Sequence, residues 1–144
     1  MVLVNFFIYF MFSISRETDY ALNAVFYLAG KQDYVSVLEI SEKLLIPKNY
    51  LAKIFSKLAL EKILKSREGK MGGYILNKKL EDISLYDFFS FFEKDLNIVK
   101  CCNGDKACDC SNACFHKKFF QDYLSKILQK ELKEKSLLDV YKYR

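Results

Sequence analysis

Apolar residues recur every three or four positions in three successive segments between residues 15 and 61. This spacing predicts amphipathic helices, because residues three and four positions apart lie on one face of a helix. Ser15 and Ser36 precede the first two segments and can cap them, and Ile46-Pro47 predicts a turn before the third. The third helix, at about 47–61, has a predicted buried stripe of Leu51, Ile54, Phe55 and Leu58.

The opposite face of this third predicted helix is polar and basic. It carries Lys48, Asn49, Tyr50, Lys53 and Lys57. Two short helices joined by a tight turn, the second apolar inside and basic outside, are typical of a helix-turn-helix DNA-binding motif. In such a motif Asn49 and Tyr50 are candidates for reading base edges, and the lysines for binding phosphates. The pattern alone has little weight, because many globular helices carry a lysine face.

A glycine-rich hairpin is predicted directly after the third helix. Two short strands, at 63–67 and 74–76, flank a tip at 68–73 that holds three of the five glycines of the chain. Glycine suits a hairpin tip because it adopts positive φ angles at no steric cost. A hairpin in this place is a wing, with Arg67 and Lys70 as its candidate DNA contacts. A phosphate-binding loop fits less well, because a strand rather than a helix follows the glycines.

Three more helices are predicted beyond the wing. One begins at Ser84, a long one spans about 116–135, and Ser136 with Asp139 caps a short last one. The long helix carries a wide apolar stripe of Phe119, Phe120, Tyr123, Leu124, Ile127 and Leu128. One small domain cannot easily bury so long a stripe, so we expect a dimerisation helix, with an ordinary core helix as the alternative.

Charge divides the chain more sharply than its net value suggests. The 144 residues carry a net charge of +5, and 51% of them are hydrophobic, which suffices for one domain with a sizeable core. Residues 36–74 and 115–144 each hold eight Lys or Arg against four Asp or Glu. Two basic segments therefore flank an acidic one and indicate an anionic partner such as nucleic acid, although a solvated lysine-rich surface has the same composition.

All five cysteines lie within residues 101–114, and the only histidine is His116. The intervening residues are of the kinds that build loops, and a loop dense in thiolates can hold a metal ion or an iron–sulfur cluster. Cys102, Cys108 and Cys114 are evenly spaced as C-x5-C-x5-C. Surface thiols or the disulfides of a secreted domain are the less favoured interpretations, since the number of cysteines is odd and nothing resembles a signal peptide.

The first residues are nearly all apolar but too few to span a bilayer, which takes about 20 residues. We interpret 1–11 as an apolar extension with a misassigned start, since Met11 stands where a compact domain would begin. The alternatives are a short membrane-surface anchor, or a strand or helix packed on the dimer. The predicted divisions are then 12–94 for DNA binding, 95–115 for the cysteine loop and 116–144 for dimerisation and the tail. No membrane partner is expected, and the predicted location is cytoplasmic.

Taken together, these segments resemble the winged-helix regulators typified by IscR and NsrR, the BadM/Rrf group. The resemblance covers residues 12–142. It rests on T-D-Y-A-L from Thr18, L-E-I-S-E from Leu38, Y-L-A-K-I-F-S-K-L from Tyr50, G-x-x-G-G-Y-x-L from Gly69, and the three evenly spaced cysteines. It implies a mainly α fold with a small two-stranded wing. It also implies a homodimer that binds palindromic promoter DNA, often as a repressor, with an iron–sulfur cluster in each subunit.

The same resemblance implies a ligand set for that cluster. Cys102, Cys108 and Cys114 match the family's three cysteines, whereas Cys101 and Cys110 fall outside the pattern. In NsrR-like members the fourth ligand is an acidic residue near the start of the first helix, given by the other subunit, and Asp19 holds that position. In IscR-like members it is a histidine, and His116 is one residue short of that place. We favour Asp19, whose alternative role is that of a first-turn acid stabilised by the helix dipole.

The wing departs from the family pattern at one position. The family usually has arginine directly before the first wing glycine, whereas this chain has Glu68 there and Arg67 one residue earlier. Adjacent side chains on a strand face opposite sides. The departure puts a minor-groove role for Arg67 in doubt and makes Lys70 the alternative wing contact.

Several other functions compete for the same residues. Cys102, Cys108, Cys110 and Cys114 could hold a structural zinc ion as four thiolates, or the cysteines could form a redox site without metal. An electron carrier or redox enzyme is a further alternative, but no second cluster motif and no flavin or nucleotide signature supports it. We therefore expect a redox, nitric oxide or iron-status sensor that is not an enzyme. Whether its cluster has two or four irons is undecided.

Overall fold

The computed structural model describes residues 14–94, residue 96 and residues 118–143. It contains two compact units, one formed by Ser15–Ile83 with the segment from Ser136 onward, and one within Ser84–Lys135. The predicted extension at 1–11, the cysteine loop and His116 lie outside the described residues, so those predictions stay predictions. Among the described residues, no helix is long and apolar enough to cross a membrane.

The first unit begins with the three predicted helices. They are α1 at Arg16–Ala29, α2 at Val37–Leu44 and α3 at Lys48–Leu60. The Ser15 and Ser36 hydroxyls accept hydrogen bonds from the amides of Thr18 and Glu39, so both predicted N-caps are confirmed. Such caps stabilise a helix because its first amides have no partner within the helix.

The core of this unit is made by the apolar faces of α1 and α3. The predicted α3 stripe of Leu51, Ile54, Phe55 and Leu58 is 0% exposed, and so are Ala21, Ala24, Val25 and Leu28 of α1. Burying one large apolar side chain stabilises a fold by about 1.5–3 kcal/mol. This packing fixes α3 by one face and leaves its polar face outward.

The predicted wing is present as β1, Leu64–Arg67, paired antiparallel with β2, Gly73–Leu76. Gly73 has a φ of +149°, and a Cβ there would come within 2.2 Å of the Val35 carbonyl oxygen. Glycine is required at this position by that close approach, because the backbones of Val35 and Tyr74 exchange two hydrogen bonds of 2.9 Å. The sequence pattern did not predict this isolated β-bridge between Val35 and Tyr74.

Two short elements complete the first unit. A 3₁₀ helix, Leu80–Asp82, follows the wing, and α6, Leu137–Lys142, returns from the far end of the chain. The Leu137 amide donates to the Ile83 carbonyl at 2.9 Å, and Leu137 is 0% exposed. The capping pair of Ser136 and Asp139 is present as predicted.

The second unit contains the other predicted helices. They are α4, Leu85–Phe92, a π-helical stretch at Lys118–Leu124, and α5, Ser125–Glu134. Leu85, Phe88, Phe89 and Phe92 of α4 are buried. At the π-to-α change the Ser125 hydroxyl donates to the Phe120 carbonyl at 2.9 Å. The described part of the predicted long helix is thus helical, but its π-helical first part was not predicted.

The stripe on this last pair of helices is only partly covered. Phe119, Tyr123 and Ile127 are 54%, 58% and 42% exposed, whereas Phe120, Leu124 and Leu128 are half-buried. The rings of Phe119 and Tyr123 lie 5.6 Å apart and form one aromatic surface. We name Phe119, Tyr123 and Ile127 the aromatic face.

Candidate nucleic-acid interface and cysteine site

The first turn of α3 presents three polar side chains to solvent. Lys48, Asn49 and Tyr50 directly follow Pro47, and all three are exposed. The Tyr50 ring meets Tyr20 of α1 edge-on, with 5.6 Å between ring centroids. No acidic residue lies in this first turn. The turn therefore joins hydrogen-bonding groups to the positive end of a helix dipole, a combination that suits anionic DNA.

Two further predicted lysines differ in their surroundings. Lys53 is exposed on the same helix. The Lys57 amino group lies 2.6 Å from the carboxylate of Glu17 on α1. The structure thus places Lys57 in an ion pair within the unit. The pair was not predicted, because the two residues are 40 positions apart in the sequence.

The two predicted wing cations also differ. Lys70 is exposed at the hairpin tip, next to Met71, which is 78% exposed. Arg67 donates from Nη2 to the Met71 carbonyl at 2.6 Å, and its guanidinium lies 4.3 Å from the centroid of the Tyr34 ring. Lys65, two positions before Arg67 and on the same face of β1, is an exposed cation that sequence reasoning did not single out. Alternation along the strand is the signal that would have found it.

The wing and α3 are held together by an aromatic contact. Tyr74 of β2 packs on Phe55 of α3, with ring centroids 4.7 Å apart. Phe55 belongs to the buried stripe, so the core that orients α3 also fixes the base of the wing. The cations of helix and hairpin therefore belong to one structural unit.

Asp19 is the one predicted cluster ligand among the described residues. It is exposed in the first turn of α1, where its carboxylate accepts a 3.2 Å hydrogen bond from the Asn23 side chain. Within the part of the chain that the structure describes, no three His, Cys, Asp or Glu side chains are placed to bind a metal. The donor chemistry still fits a cluster, since thiolates are its preferred ligands and an exposed carboxylate can supply one more oxygen.

The first unit combines three helices with a hairpin that packs on the third of them. The apolar face of this third helix is buried and its polar face is outward. This combination defines the winged-helix class of DNA-binding protein. Residues 14–143 match the model of the Rrf2 family, described as an iron-dependent transcriptional regulator. The chain belongs to the Rrf2 family of transcriptional regulators. This confirms the resemblance, and the fold class, that the sequence motifs indicated.

Sequence relatives include the transcriptional regulator NsrR of Bacillus licheniformis, which is 32% identical over 95 residues. That match covers 65% of this chain and 66% of NsrR, so the chain spans just under two thirds of this relative. Among solved structures, CymR, described as the global cysteine regulator of B. subtilis, has a TM-score of 0.72 at 21% identity and covers 93% of this chain and 99% of its own. IscR of T. potens has a TM-score of 0.66 at 25% identity, covering 91% of this chain and 87% of IscR.

Proposed function

We propose that the protein is a homodimeric transcriptional repressor that binds palindromic promoter DNA and responds to redox stress, nitric oxide or iron status through an iron–sulfur cluster. The observation that carries the DNA-binding part is the exposed first turn of α3 beside the wing. Such a regulator works where the DNA is, so the proposal includes a cytoplasmic location.

In this proposal the two parts of the interface have different tasks. Asn49 and Tyr50 lie at the N-terminal end of α3, the part of a recognition helix that reaches base edges in the major groove. Lys48, Lys53 and Lys70 bind phosphates, because a lysine acts as a point charge on a flexible stem. Phosphate contacts set the position on the duplex and base contacts provide discrimination.

The aromatic face supports the dimer. Large exposed aromatic side chains on one helix face are a common mark of protein–protein interfaces. A two-fold dimer places the same face of each subunit against the other, and it also presents two recognition helices to a palindrome. The basic first unit of each subunit then binds one half of the operator.

The proposed cluster ligands are Cys102, Cys108 and Cys114, with Asp19 of the partner subunit as the fourth. A bound cluster supplies redox-active iron that oxidants and nitric oxide can attack. Support for Asp19 comes from its exposure, since a buried carboxylate could not reach a second subunit. Its hydrogen bond with Asn23 holds the carboxylate at the helix surface.

The turn that carries Asp19 also touches the recognition helix. Glu17 pairs with Lys57 of α3, and Tyr20 packs on Tyr50 of α3. In this proposal, a displacement of the turn that carries Asp19 is passed to α3 through these two contacts. This gives the proposed sensor a route of direct contacts to the DNA-reading turn.

The test is anaerobic purification followed by an absorbance spectrum and by iron, sulfide and zinc analysis. We expect a coloured protein with iron and sulfide in equal amounts, and loss of the chromophore in Cys102→Ala, Cys108→Ala and Cys114→Ala. The matched controls are Cys101→Ala and Cys110→Ala, which should keep it. A full cluster in any of the first three variants would refute the assignment.

A second pair of variants tests the fourth ligand. Asp19→Ala should weaken or retune the cluster, whereas His116→Ala should change it little. Asn23→Ala keeps the Asp19 carboxylate but removes its hydrogen bond, and it should change the cluster less than Asp19→Ala does. The reverse result would favour the IscR-like arrangement with His116 as a ligand.

The alternative function is a winged-helix DNA-binding protein with structural zinc or a metal-free thiol site at the same cysteines. It is favoured by Cys110, which makes a fourth thiolate available and which the three-cysteine pattern does not use. Colourless protein with about one zinc per chain would support the zinc site. Protein without metal whose DNA affinity changes on thiol oxidation would support the thiol site.

A further inference from the structure

Arg67 of the wing is engaged on two sides by its own chain. Its guanidinium lies over the Tyr34 ring, 4.3 Å from the centroid, and its Nη2 donates to the Met71 carbonyl at 2.6 Å. A planar guanidinium can stack on an aromatic face and donate in its own plane at the same time. Both contacts use groups that a DNA-reading arginine would turn towards bases or phosphates.

The accepting carbonyl belongs to the peptide group at the centre of the wing tip. The other side of that peptide group is the Gly72 N–H, which donates to the Gly69 carbonyl at 2.9 Å. Arg67 and Gly69 therefore hold the Met71–Gly72 peptide from both sides. A Cβ at Gly72 would lie 2.3 Å from the Arg67 carbonyl oxygen, so the turn closes tightly over the arginine's own backbone.

The backbone at Tyr34 is held beside the wing because the next residue, Val35, pairs with it. The Val35 and Tyr74 backbones exchange hydrogen bonds of 2.9 Å in both directions. Tyr74 in turn packs on Phe55 of α3. The Tyr34 ring is thus a platform attached to the same frame as the recognition helix, and Arg67 connects the hairpin tip to that platform.

We propose that Arg67 is a positioning residue, which orders the wing tip through Tyr34 and the Met71 carbonyl so that Lys70 meets the DNA. The proposal rests on the proposed DNA-binding function for its last step only. Lys70 is exposed within the turn that Arg67 holds. In this proposal Arg67 braces the hairpin through contacts with its own chain and does not itself contact the DNA.

The first measurement uses the free protein and needs no DNA. The hydrogen-exchange rate of the Gly72 amide should rise about two- to fivefold in Arg67→Ala and in Tyr34→Leu. This is the change in an opening equilibrium that corresponds to the loss of about one exposed cation–π contact. In the double variant the rise should be no greater than in Arg67→Ala alone, because Tyr34 acts on the tip only through the arginine. Lys65→Ala is the control, since it removes an exposed cation from the same strand and face, and it should leave Gly72 exchange unchanged.

The second measurement is DNA binding at several salt concentrations. Arg67→Ala and Tyr34→Leu should each lower affinity about two- to fivefold with the salt slope kept, whereas Lys70→Ala should lower the slope by about one. A slope reduced by about one in Arg67→Ala, with Gly72 exchange unchanged, would overturn the proposal. If the wild-type protein binds no DNA, the proposed function fails, and the exchange data still decide whether Arg67 orders the tip.

Discussion

Helix α3 and residues 118–134, which we call the π/α5 segment, carry similar amphipathic patterns but differ in how far their apolar faces are buried. The α3 stripe is 0% exposed, whereas Phe119 and Tyr123 of the aromatic face are 54% and 58% exposed. Both segments also carry lysines around their apolar side chains. A helical repeat of apolar residues therefore predicts which face of a helix is apolar, but not whether that face is buried within its own unit or stays exposed.

We infer from this difference that α3 stabilises the subunit, whereas the segment with the aromatic face stabilises the proposed dimer. The stripe of α3 is covered inside its own unit by α1 and by Tyr74 of the wing, so its polar face is the one that stays exposed to a partner. On the π/α5 segment the apolar side chains themselves are left for a partner. We therefore expect substitutions on the α3 stripe to affect folding, and substitutions on the aromatic face to affect association.

The largest expected effect is on folding. Phe55→Ala should lower the free energy of unfolding by about 3–5 kcal/mol, because it removes a fully buried ring and leaves a cavity. Urea denaturation followed by circular dichroism measures it. Leu60→Ala is the control on the same helix, since Leu60 is 81% exposed, and its change should stay within about 0.5 kcal/mol. Similar losses in both variants would contradict the buried role of Phe55.

The next largest effect is expected on the dimer. Tyr123→Ala should weaken dimerisation by about 2 kcal/mol or more, roughly 30-fold in Kd, as truncation of an aromatic interface anchor does. Sedimentation equilibrium measures it. Tyr143→Ala provides the comparison, because Tyr143 is 94% exposed but lies outside the aromatic face. If Tyr143→Ala weakens the dimer and Tyr123→Ala does not, the interface lies elsewhere.

A third effect concerns the polar face of α3. Asn49→Ala should reduce discrimination between operator and random DNA by about 1–3 kcal/mol, the loss of one bidentate base contact. The operator is first selected from a random-sequence pool, and competition binding then measures both affinities. Lys53→Ala should instead weaken both kinds of DNA alike and lower the salt slope by about one. Equal losses on both DNAs for Asn49→Ala would exclude it as a reading residue.

The smallest effect is expected at the Glu17–Lys57 ion pair. Because the pair is neutral as a unit, the double variant Glu17→Gln, Lys57→Met should leave the salt slope of DNA binding nearly unchanged. It should lower the free energy of unfolding by less than about 1 kcal/mol, as expected for a partly exposed pair. A slope reduced by about one would show that Lys57 leaves Glu17 to bind a phosphate, which is the role that the sequence pattern predicted.

Much of the fold could be predicted because its signals are local. Ser15, Ser36 and Ser84 each accept a hydrogen bond from a backbone amide three residues on, which is a feature of neighbouring residues. The apolar face of α3 was also predictable, since the helical repeat places Leu51, Ile54, Phe55 and Leu58 on one side. The π-helical stretch and the bridge between Val35 and Tyr74 were not predictable, because the first is a subtle change of hydrogen bonding and the second joins distant segments.

The candidate site divides in the same way. The residue types of the proposed DNA-binding turn could be read from the sequence, because Pro47 starts α3 and the helical repeat then places Lys48, Asn49 and Tyr50 outward. The partners of Lys57 and Arg67 could not, because Glu17 and Tyr34 come from other parts of the chain. The cysteines, which carry the sensing proposal, lie outside the described residues, so their ligand roles stay predictions.

What the sequence by itself determined are the helices, the wing and the family, since caps, apolar spacing and motifs act over a few positions. Only the tertiary structure decided which outward cations are already engaged. Arg67 and Lys70 are three positions apart in one hairpin, yet one lies against Tyr34 and the other is exposed at the tip. The physical reason is that a charge takes its role from the groups that the fold places within a few ångströms of it, and those groups are set by packing rather than by sequence distance.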